Sequence, residues 1–208
     1  MRVLHDLSPA IDPTLAVWPG DTPFQRNVAM SIATTHLELS AIATTVHLGA
    51  HADAPLHVLR DGAAIGARDL APYLGACQVI RRRLASGGTV RRSDLPTKLL
   101  APRVLLDTGT YPTPHRFAED YAAVDPDAID ALADAGAVLL GLDTPSLDGF
   151  TATDMVAHRR LFGRGMSVLE GLLLSGVPEG LYTLIALPLR LTDADASPVR
   201  AVLVDLAG

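Results

Sequence analysis

The segment from His47 to His57 places the strongest constraint on how this chain folds. It carries four polar residues of the kinds that bind metals, His47, His51, Asp53 and His57, all at odd positions. An extended strand would point these side chains to one face. A straight strand would also spread them over roughly 33 Å, too far for them to act together. We therefore expect the segment to bend.

Two residues in the segment permit such a bend. Gly49 tolerates backbone conformations that other residues avoid, and Pro55 fixes a turn. The neighbouring residues are mostly Ala and Leu, which predicts a packed segment in which unpartnered imidazoles and a carboxylate would be costly. Imidazole nitrogens and carboxylate oxygens are ligands that zinc and similar ions take at about 2 Å. The segment therefore predicts a metal site, although one such histidine alone would more often be a core or surface residue.

Two residues further along the chain are candidates to complete the site. His158 lies in a predicted helix over Ala152–Leu161, where its neighbours Arg159 and Arg160 also allow a surface position. Glu170 is a lone acid in an apolar run, and buried acids are uncommon without a partner. A helix-capping role for Glu170 is the alternative.

The spacing of apolar runs predicts a single α/β domain over residues 1–208, strand-rich and barrel-like in its core. A helix is predicted over Asp127–Ala135, since Asp125 and Pro126 favour a helix start and Gly136 an end. It joins two predicted parallel strands in a β-α-β unit. The predicted strands are Arg2–Leu7, His36–Thr45, Gln78–Leu84, Val104–Asp107, Ala137–Leu142, Leu181–Leu191 and Val199–Leu206.

Composition excludes several classes of protein. The net charge is −6, and phosphate binding needs a concentrated positive surface, so no nucleic-acid partner is expected. The chain has one cysteine, Cys77, so neither an internal disulfide nor a Cys-based zinc site is expected. The first residues lack the apolar run of a signal peptide, and no run is long enough to predict a membrane span. A soluble, cytoplasmic protein is expected.

Trp18 is a candidate substrate-binding residue. It is the single tryptophan of an aromatic-poor chain and lies in a loop rich in Pro and Gly, a placement that suits binding. An ordinary core or interface tryptophan is the alternative. The stretch from Asp143 to Ser146 follows a predicted strand and is interpreted as a turn rather than part of the site. Ser8 and Ser146 lack a Gly-x-Ser-x-Gly context, which argues against a serine hydrolase.

The residues from His47 to His57 resemble the pattern His-x-Gly-Thr-His-x-Asp-x-Pro-x-His of the cyclase family of metal-dependent hydrolases. Within that family the chain most resembles the bacterial kynurenine formamidases, or arylformamidases. Segments 6–9, 17–24 and 69–75 match further, as does the pair of His158 and Glu170. Ala50 stands where the family pattern has Thr. Alanine is not a ligand, so the difference does not affect metal binding directly, but it can alter a hydrogen bond beside the site.

The resemblance implies two divalent metal ions per subunit, with zinc expected and manganese as the alternative. His47, His51 and Asp53 would hold one ion and His158 the other. Asp53 and Glu170 would bridge both.

The resemblance also implies a reaction. His57 would be the general acid and base, and Trp18 would contact a small aromatic formamide. N-formyl-L-kynurenine would be hydrolysed to L-kynurenine and formate, in tryptophan degradation. The implied fold is a swivelling β/β/α barrel, usually found as a homodimer with the active site near the subunit interface.

Two other functions remain open at this point. One is a related hydrolase of an amide or lactam such as isatin, and the other is a metal-binding module without turnover. In the second, His57 would be only a ligand or a structural residue.

Overall fold

The computed structural model describes residues 2–205, so Met1 and positions 206–208 of the predicted domain lie outside the described residues. The strands are β1 (Arg2–Asp6), β2 (Gln25–Met30), β3 (Leu39–Ala43), β4 (His51–Asp53), β5 (Leu74–Arg81), β6 (Thr89–Val90), β7 (Arg103–Asp107), β8 (Ala123–Val124), β9 (Leu139–Leu142), β10 (Ser167–Leu169), β11 (Gly180–Ile185), β12 (Ala196–Pro198) and β13 (Val202–Asp205). The α-helices are α1 (Pro126–Asp134) and α2 (Val156–Gly163), and short 3-10 helices span Pro55–His57, Ile65–Ala67, Ala71–Tyr73 and Arg92–Asp94.

A seven-stranded mixed sheet organises the fold, in the order β1-β13-β11-β5-β7-β9-β10. The strands from β5 through β7 and β9 to β10 are parallel, whereas β1, β13 and β11 pair antiparallel with their neighbours. The predicted β-α-β unit is confirmed, since β7 and β9 are adjacent and parallel and α1 connects them. Three short pairs, β4 with β12, β2 with β3, and β6 with β8, lie apart from this sheet.

Apolar side chains on the two faces of the sheet form two hydrophobic clusters. Along β7, Val104 and Leu106 pack in the cluster that holds the buried residues of α1 and α2. Leu105 points the other way, into the cluster that contains Ala52 of β4. Because strand side chains alternate between faces, this gives three layers: the β4–β12 ribbon, the main sheet and the helices. The predicted strand-rich α/β class is confirmed.

The helix starts show one correct prediction and one error. Helix α1 begins after Asp125, whose side chain accepts the N–H of Asp127, as predicted. The start of the second helix at Ala152 was wrong, because α2 begins only at Val156. The residue before it, Met155, has a left-handed φ of 49°, which interrupts any helix running through from Ala152.

Several strands are shorter than predicted. The run His36–Thr45 forms a strand only over Leu39–Ala43, and the run Leu181–Leu191 ends as β11 at Ile185. Leu206 of the final predicted run lies outside the described residues. Across residues 2–205, neither α-helix has the length and apolar character needed to cross a membrane.

Candidate active site

The segment from His47 to His57 bends at both predicted points. Gly49 adopts a φ of 57°, and Pro55 starts the 3-10 turn that ends at His57. Between the bends the three residues of β4 pair with β12 as a short extended stretch. The rings of His47 and His57 therefore lie 4.4 Å apart between centroids, instead of at opposite ends of a strand.

A close backbone approach brings Glu170 to the same place. Its N–H donates to the carbonyl of His51 at 3.0 Å, and the N–H of His51 donates back to the carbonyl of Glu170 at 3.1 Å. Gly171 follows with a φ of 66°, and a Cβ there would lie 2.2 Å from the carbonyl oxygen of Gly49. Only glycine allows the two backbones to lie so close.

The carboxylate of Asp53 lies between three imidazoles. Its Oδ1 atom is 3.0 Å from Nδ1 of His47 and 3.4 Å from Nε2 of His51. Its Oδ2 atom is 3.2 Å from Nε2 of His158. The two oxygens of one buried carboxylate thus face different histidines.

Glu170 repeats this arrangement from the opposite side. Its Oε2 atom is 3.4 Å from Nε2 of His51, and its Oε1 atom is 3.1 Å from Nε2 of His158. The Oε1 atom also accepts the N–H of Leu147 at 2.7 Å, which fixes the carboxylate. Glu170 is therefore not a helix cap, and His158, fully buried in α2, is not a surface residue.

Each of these three imidazoles has its other nitrogen held by an oxygen outside the cluster. Nδ1 of His51 is 2.8 Å from the carbonyl oxygen of Gly49, and Nδ1 of His158 is 2.6 Å from Oδ2 of Asp148. Nε2 of His47 is 3.0 Å from Oδ2 of Asp195. An outer acceptor of this kind fixes the tautomer and leaves the inner nitrogen free to bind a metal.

The inner atoms provide the test of whether a cation fits. Nε2 of His51, Nε2 of His158 and both oxygens of Asp53 are buried without a hydrogen-bond partner among the described residues. Leaving such groups unsatisfied is costly, and a cation would satisfy all of them together. The donor set of imidazoles and carboxylates is the one that zinc and related ions take. The residues present fit a divalent metal site.

The pKa values of the cluster also indicate that its carboxylates need positive charge beside them. Burial alone would raise the pKa of Asp53, but the neighbouring imidazoles of His158 and His47 hold it well below its usual range. Burial alone would lower the pKa of His47, yet the carboxylates of Asp195 and Asp53 raise it to about 10. The pKa of His158 is raised in the same way, chiefly by Glu170 against the effect of burial. Protons or a cation must balance these carboxylates.

A cavity of about 520 Å³ opens beside the cluster. Its volume falls in the range of small-molecule sites, and its wall includes His47, His51, His57 and Glu170. Trp18 also lies in the wall, with its ring centroid 5.3 Å from that of Phe117 and 5.1 Å from that of Phe150. Five of the nine aromatic residues of the chain form this group: Trp18, Tyr111, Phe117, Tyr121 and Phe150.

Comparison with known proteins identifies the family. Residues 5–149 match the model of the Cyclase family, described as "Putative cyclase". This is more than half of the chain. The chain belongs to the Cyclase family. The matched region contains His47, His51, Asp53 and His57, while His158 and Glu170 follow it.

Solved structures resemble this Cyclase-family chain over nearly its whole length. A potential metal-dependent hydrolase with cyclase activity is 28% identical with a TM-score of 0.81, over 96% of each chain. A predicted metal-dependent hydrolase from Bacillus stearothermophilus is 27% identical with a TM-score of 0.80, also over 96% of each chain. Isatin hydrolase A from Labrenzia aggregata, bound to benzyl benzoate, is 20% identical with a TM-score of 0.75, over 97% of this chain and 93% of that one. The likeness to isatin hydrolase A concerns the fold alone.

The sequence does not indicate three residues of the cyclase site. Asp148 and Asp195 hold the outer nitrogens of His158 and His47, although neither lies in a recognisable pattern. The sequence favours a plain turn at Asp143, but Asp143 lines the cavity. Its position after a buried parallel strand was the available signal, because ligand sites gather at the carboxyl ends of such strands.

Proposed function

We propose that this protein is a metal-dependent amide hydrolase that cleaves N-formyl-L-kynurenine to L-kynurenine and formate, in tryptophan degradation. The observation that carries the proposal is the pair of buried carboxylates, Asp53 and Glu170, which both face the imidazoles of His51 and His158 beside an aromatic cavity. The family match and the two similar structures described as metal-dependent hydrolases support the same chemistry.

The cluster suits two divalent ions that share carboxylates. His47, His51 and Asp53 would hold one ion and His158 the other, with Asp53 and Glu170 bridging them. The split of Asp53 supports this division, since its Oδ1 atom faces His47 and His51 and its Oδ2 atom faces His158. Such ions, when bound, supply Lewis acidity that polarises a carbonyl and activates water at neutral pH. Zinc is the proposed metal, and manganese is the alternative with the same ligand preferences.

The aromatic wall suits the aryl ring of the substrate. Trp18 lies edge-on to Phe117, with 75° between their rings, so the neighbour fixes one side of the indole. Contacts between aromatic rings contribute about 1 kcal/mol beyond the area they bury. A ring held there would place its formamide near the imidazoles that line the same cavity.

His57 is the proposed acid and base. Its side chain is 27% exposed and lines the cavity, whereas His51 and His158 are almost fully buried. Imidazole exchanges protons near neutral pH. An aryl amine leaves more readily when it is protonated, and His57 would deliver that proton as the C–N bond breaks.

The deciding experiment measures turnover of N-formyl-L-kynurenine by the purified protein, with and without a chelator, and of isatin in parallel. We expect chelator-sensitive hydrolysis of the formamide and little cleavage of the lactam. Preferential cleavage of isatin would assign the related lactam-hydrolase function. Stoichiometric metal binding without turnover of either compound would leave a binding module.

We further propose a cytoplasmic homodimer. The β2–β3 hairpin supports an oligomer, because every residue of both strands is exposed, including Val28 and Ile42. An isolated two-stranded hairpin is marginally stable in water, so a second copy packed against it would stabilise it. Light scattering after size-exclusion chromatography should give about twice the monomer mass, and a monomer would contradict the proposal.

A further inference from the structure

Asp195 places one carboxylate oxygen between two imidazoles. Its Oδ2 atom lies 3.0 Å from Nε2 of His47 and 3.2 Å from Nδ1 of His57. The first contact belongs to a proposed metal ligand and the second to the proposed acid and base. A single oxygen thus connects the two parts of the site that have different tasks.

The backbone around Asp195 is fixed against the curled segment. The N–H of Ala54 donates to the carbonyl of Asp195 at 2.8 Å, and the N–H of Ile65 donates to that of Ala194 at 2.9 Å. The next residue, Ala196, pairs with Asp53 in the β4–β12 ribbon. The carboxylate therefore has a fixed position relative to the metal cluster, although its side chain is 41% exposed.

We propose that Asp195 is a positioning residue that holds His57 in the tautomer protonated at Nδ1, leaving Nε2 as the nitrogen that exchanges protons with the substrate. The inference rests on the proposed function and adds a residue to it. Asp195 would also accept the Nε2–H of His47 through the same oxygen, so that Nδ1 of His47 would be the nitrogen that loses its proton when a cation binds beside Asp53. One carboxylate oxygen would therefore hold His57 in the tautomer protonated at Nδ1 and His47 in the tautomer protonated at Nε2.

The proton then follows a balanced path. As the water oxygen bonds to the formyl carbon, the π electron pair of the C=O bond moves onto the carbonyl oxygen, from which it returns when the C–N bond breaks. Nε2 of His57 takes one water proton in the same step. As the C–N bond breaks, its electron pair goes to the aryl amine nitrogen, which takes the proton from Nε2 of His57. Formic acid then loses its own proton to solvent. Asp195 remains a carboxylate throughout and stabilises the transient imidazolium, as an aspartate beside a catalytic histidine does.

Two other roles for Asp195 make different predictions. An exposed ion pair would contribute little, since such pairs stabilise proteins by about 0–1 kcal/mol. The second alternative role is that of a direct metal ligand, because donor atoms of His47, His57 and Asp195 all lie within 4.8 Å of one another. The positioning role alone predicts a change in the tautomer of His57 in protein free of metal.

The test compares Asp195→Ala and Asp195→Asn with the control Asp193→Ala, which removes an exposed acid two residues away. Nitrogen-15 NMR of histidine-labelled, metal-free protein in alkaline buffer, assigned with His57→Gln, reports which nitrogen of His57 carries the proton. We expect Nδ1–H in the parent and in Asp193→Ala, and a mixture of tautomers in Asp195→Ala. An unchanged tautomer in Asp195→Ala would overturn the proposal whatever the substrate proves to be.

Kinetics and metal affinity complete the test. With metal saturating, we expect Asp195→Ala to lower kcat roughly 10–100-fold, as loss of an outer hydrogen-bond partner does elsewhere. The loss should be larger for formamides of poorly leaving aryl amines, and Asp195→Asn should lie between Ala and the parent. A loss of kcat that is seen only at limiting metal, and that saturating metal fully restores, would instead make Asp195 a ligand. Absence of activity in the parent would refute the proposed function and leave the NMR result standing.

Discussion

Nδ1 of His158 lies 2.6 Å from Oδ2 of Asp148, and the same carboxylate accepts two backbone N–H groups at the start of α2. These N–H groups belong to Ala157 and His158, at 2.9 and 3.0 Å. Asp148 lies outside the helix but caps its N-terminus, a role that the N-cap side chain has in most helices. Asp148 thus fixes both the helix start and the ring that the helix carries to the cluster.

Replacing Asp148 should separate these two tasks. In Asp148→Asn the amide oxygen still accepts a backbone N–H, so the free energy of unfolding should fall by less than about 1 kcal/mol, whereas Asp148→Ala should lose about 1–2 kcal/mol. Both variants lose the charged partner of His158, and their metal affinity should fall roughly 10–100-fold. Denaturant unfolding and chelator competition measure the two quantities. Equal metal affinity in the parent and Asp148→Asn would contradict the orienting role.

Metal removal should lower the stability of the whole domain. Stripping the ions leaves Nε2 of His51, Nε2 of His158 and both oxygens of Asp53 buried with no hydrogen-bond partner in residues 2–205. A ligand at about a thousand times its Kd stabilises the folded state by roughly 4 kcal/mol. Thermal unfolding with and without chelator, followed by return of zinc or manganese, should show a reversible drop in Tm. A Tm that does not respond to either ion would argue against a metal in this cluster.

The bend of the segment from His47 to His57 could be predicted from sequence, whereas the carboxylates that hold the outer nitrogens of the histidines could not. Gly49 and Pro55 mark the bends locally, and four ligand-type residues lie within eleven positions. Asp195 lies 148 positions from His47, and backbone contacts such as the pairing of β12 with β4 bring them together. Helix α2 starts late for a related reason, since its first N–H groups are bound by Asp148, which precedes the predicted helix. Contacts between distant segments leave no local pattern.

His57 and His51 should respond differently to the same substitution. His57→Ala should keep most of the bound metal and lose most of the activity, because the proposed role of His57 is to exchange protons and not to bind metal. His51→Ala should lose metal and activity together, because Nε2 of His51 faces Asp53 and Glu170. Elemental analysis and kcat on N-formyl-L-kynurenine measure both effects, and the parent should hold about two ions per chain. Loss of metal from His57→Ala in step with its activity would make His57 a ligand.

Trp18 should contribute to substrate affinity more than to catalysis. Trp18→Ala removes the ring that contacts Phe117 and Phe150 in the cavity, and KM should rise about tenfold, which corresponds to about 1.4 kcal/mol. Phe24→Ala is the matched control, because Phe24 follows in the same loop but does not line the cavity. Steady-state kinetics on the aryl formamide distinguish the two variants. An unchanged KM in Trp18→Ala would return Trp18 to an ordinary structural role.

Gly171 should tolerate no side chain. A substitution at Gly165 measures how much of the expected loss of stability comes from backbone strain. Both Gly171 and Gly165 have left-handed φ values, of 66° and 71°, but a Cβ at Gly165 would meet no atom of the described part of the chain within 4 Å. A Cβ at Gly171 would lie 2.2 Å from the carbonyl oxygen of Gly49, which is backbone and cannot rotate away.

Gly165→Ala should therefore cost only the left-handed strain, about 1 kcal/mol, and lower Tm by about 2–4 °C. Gly171→Ala must push the segment that carries Glu170 away from His51, so Tm should fall by about 10 °C or more. Metal affinity should fall with it, because Glu170 and His51 face each other across this contact. Thermal unfolding and metal titration of both variants provide the measurement. Similar losses in the two variants would mean that strain alone, and not the close approach, requires glycine at position 171.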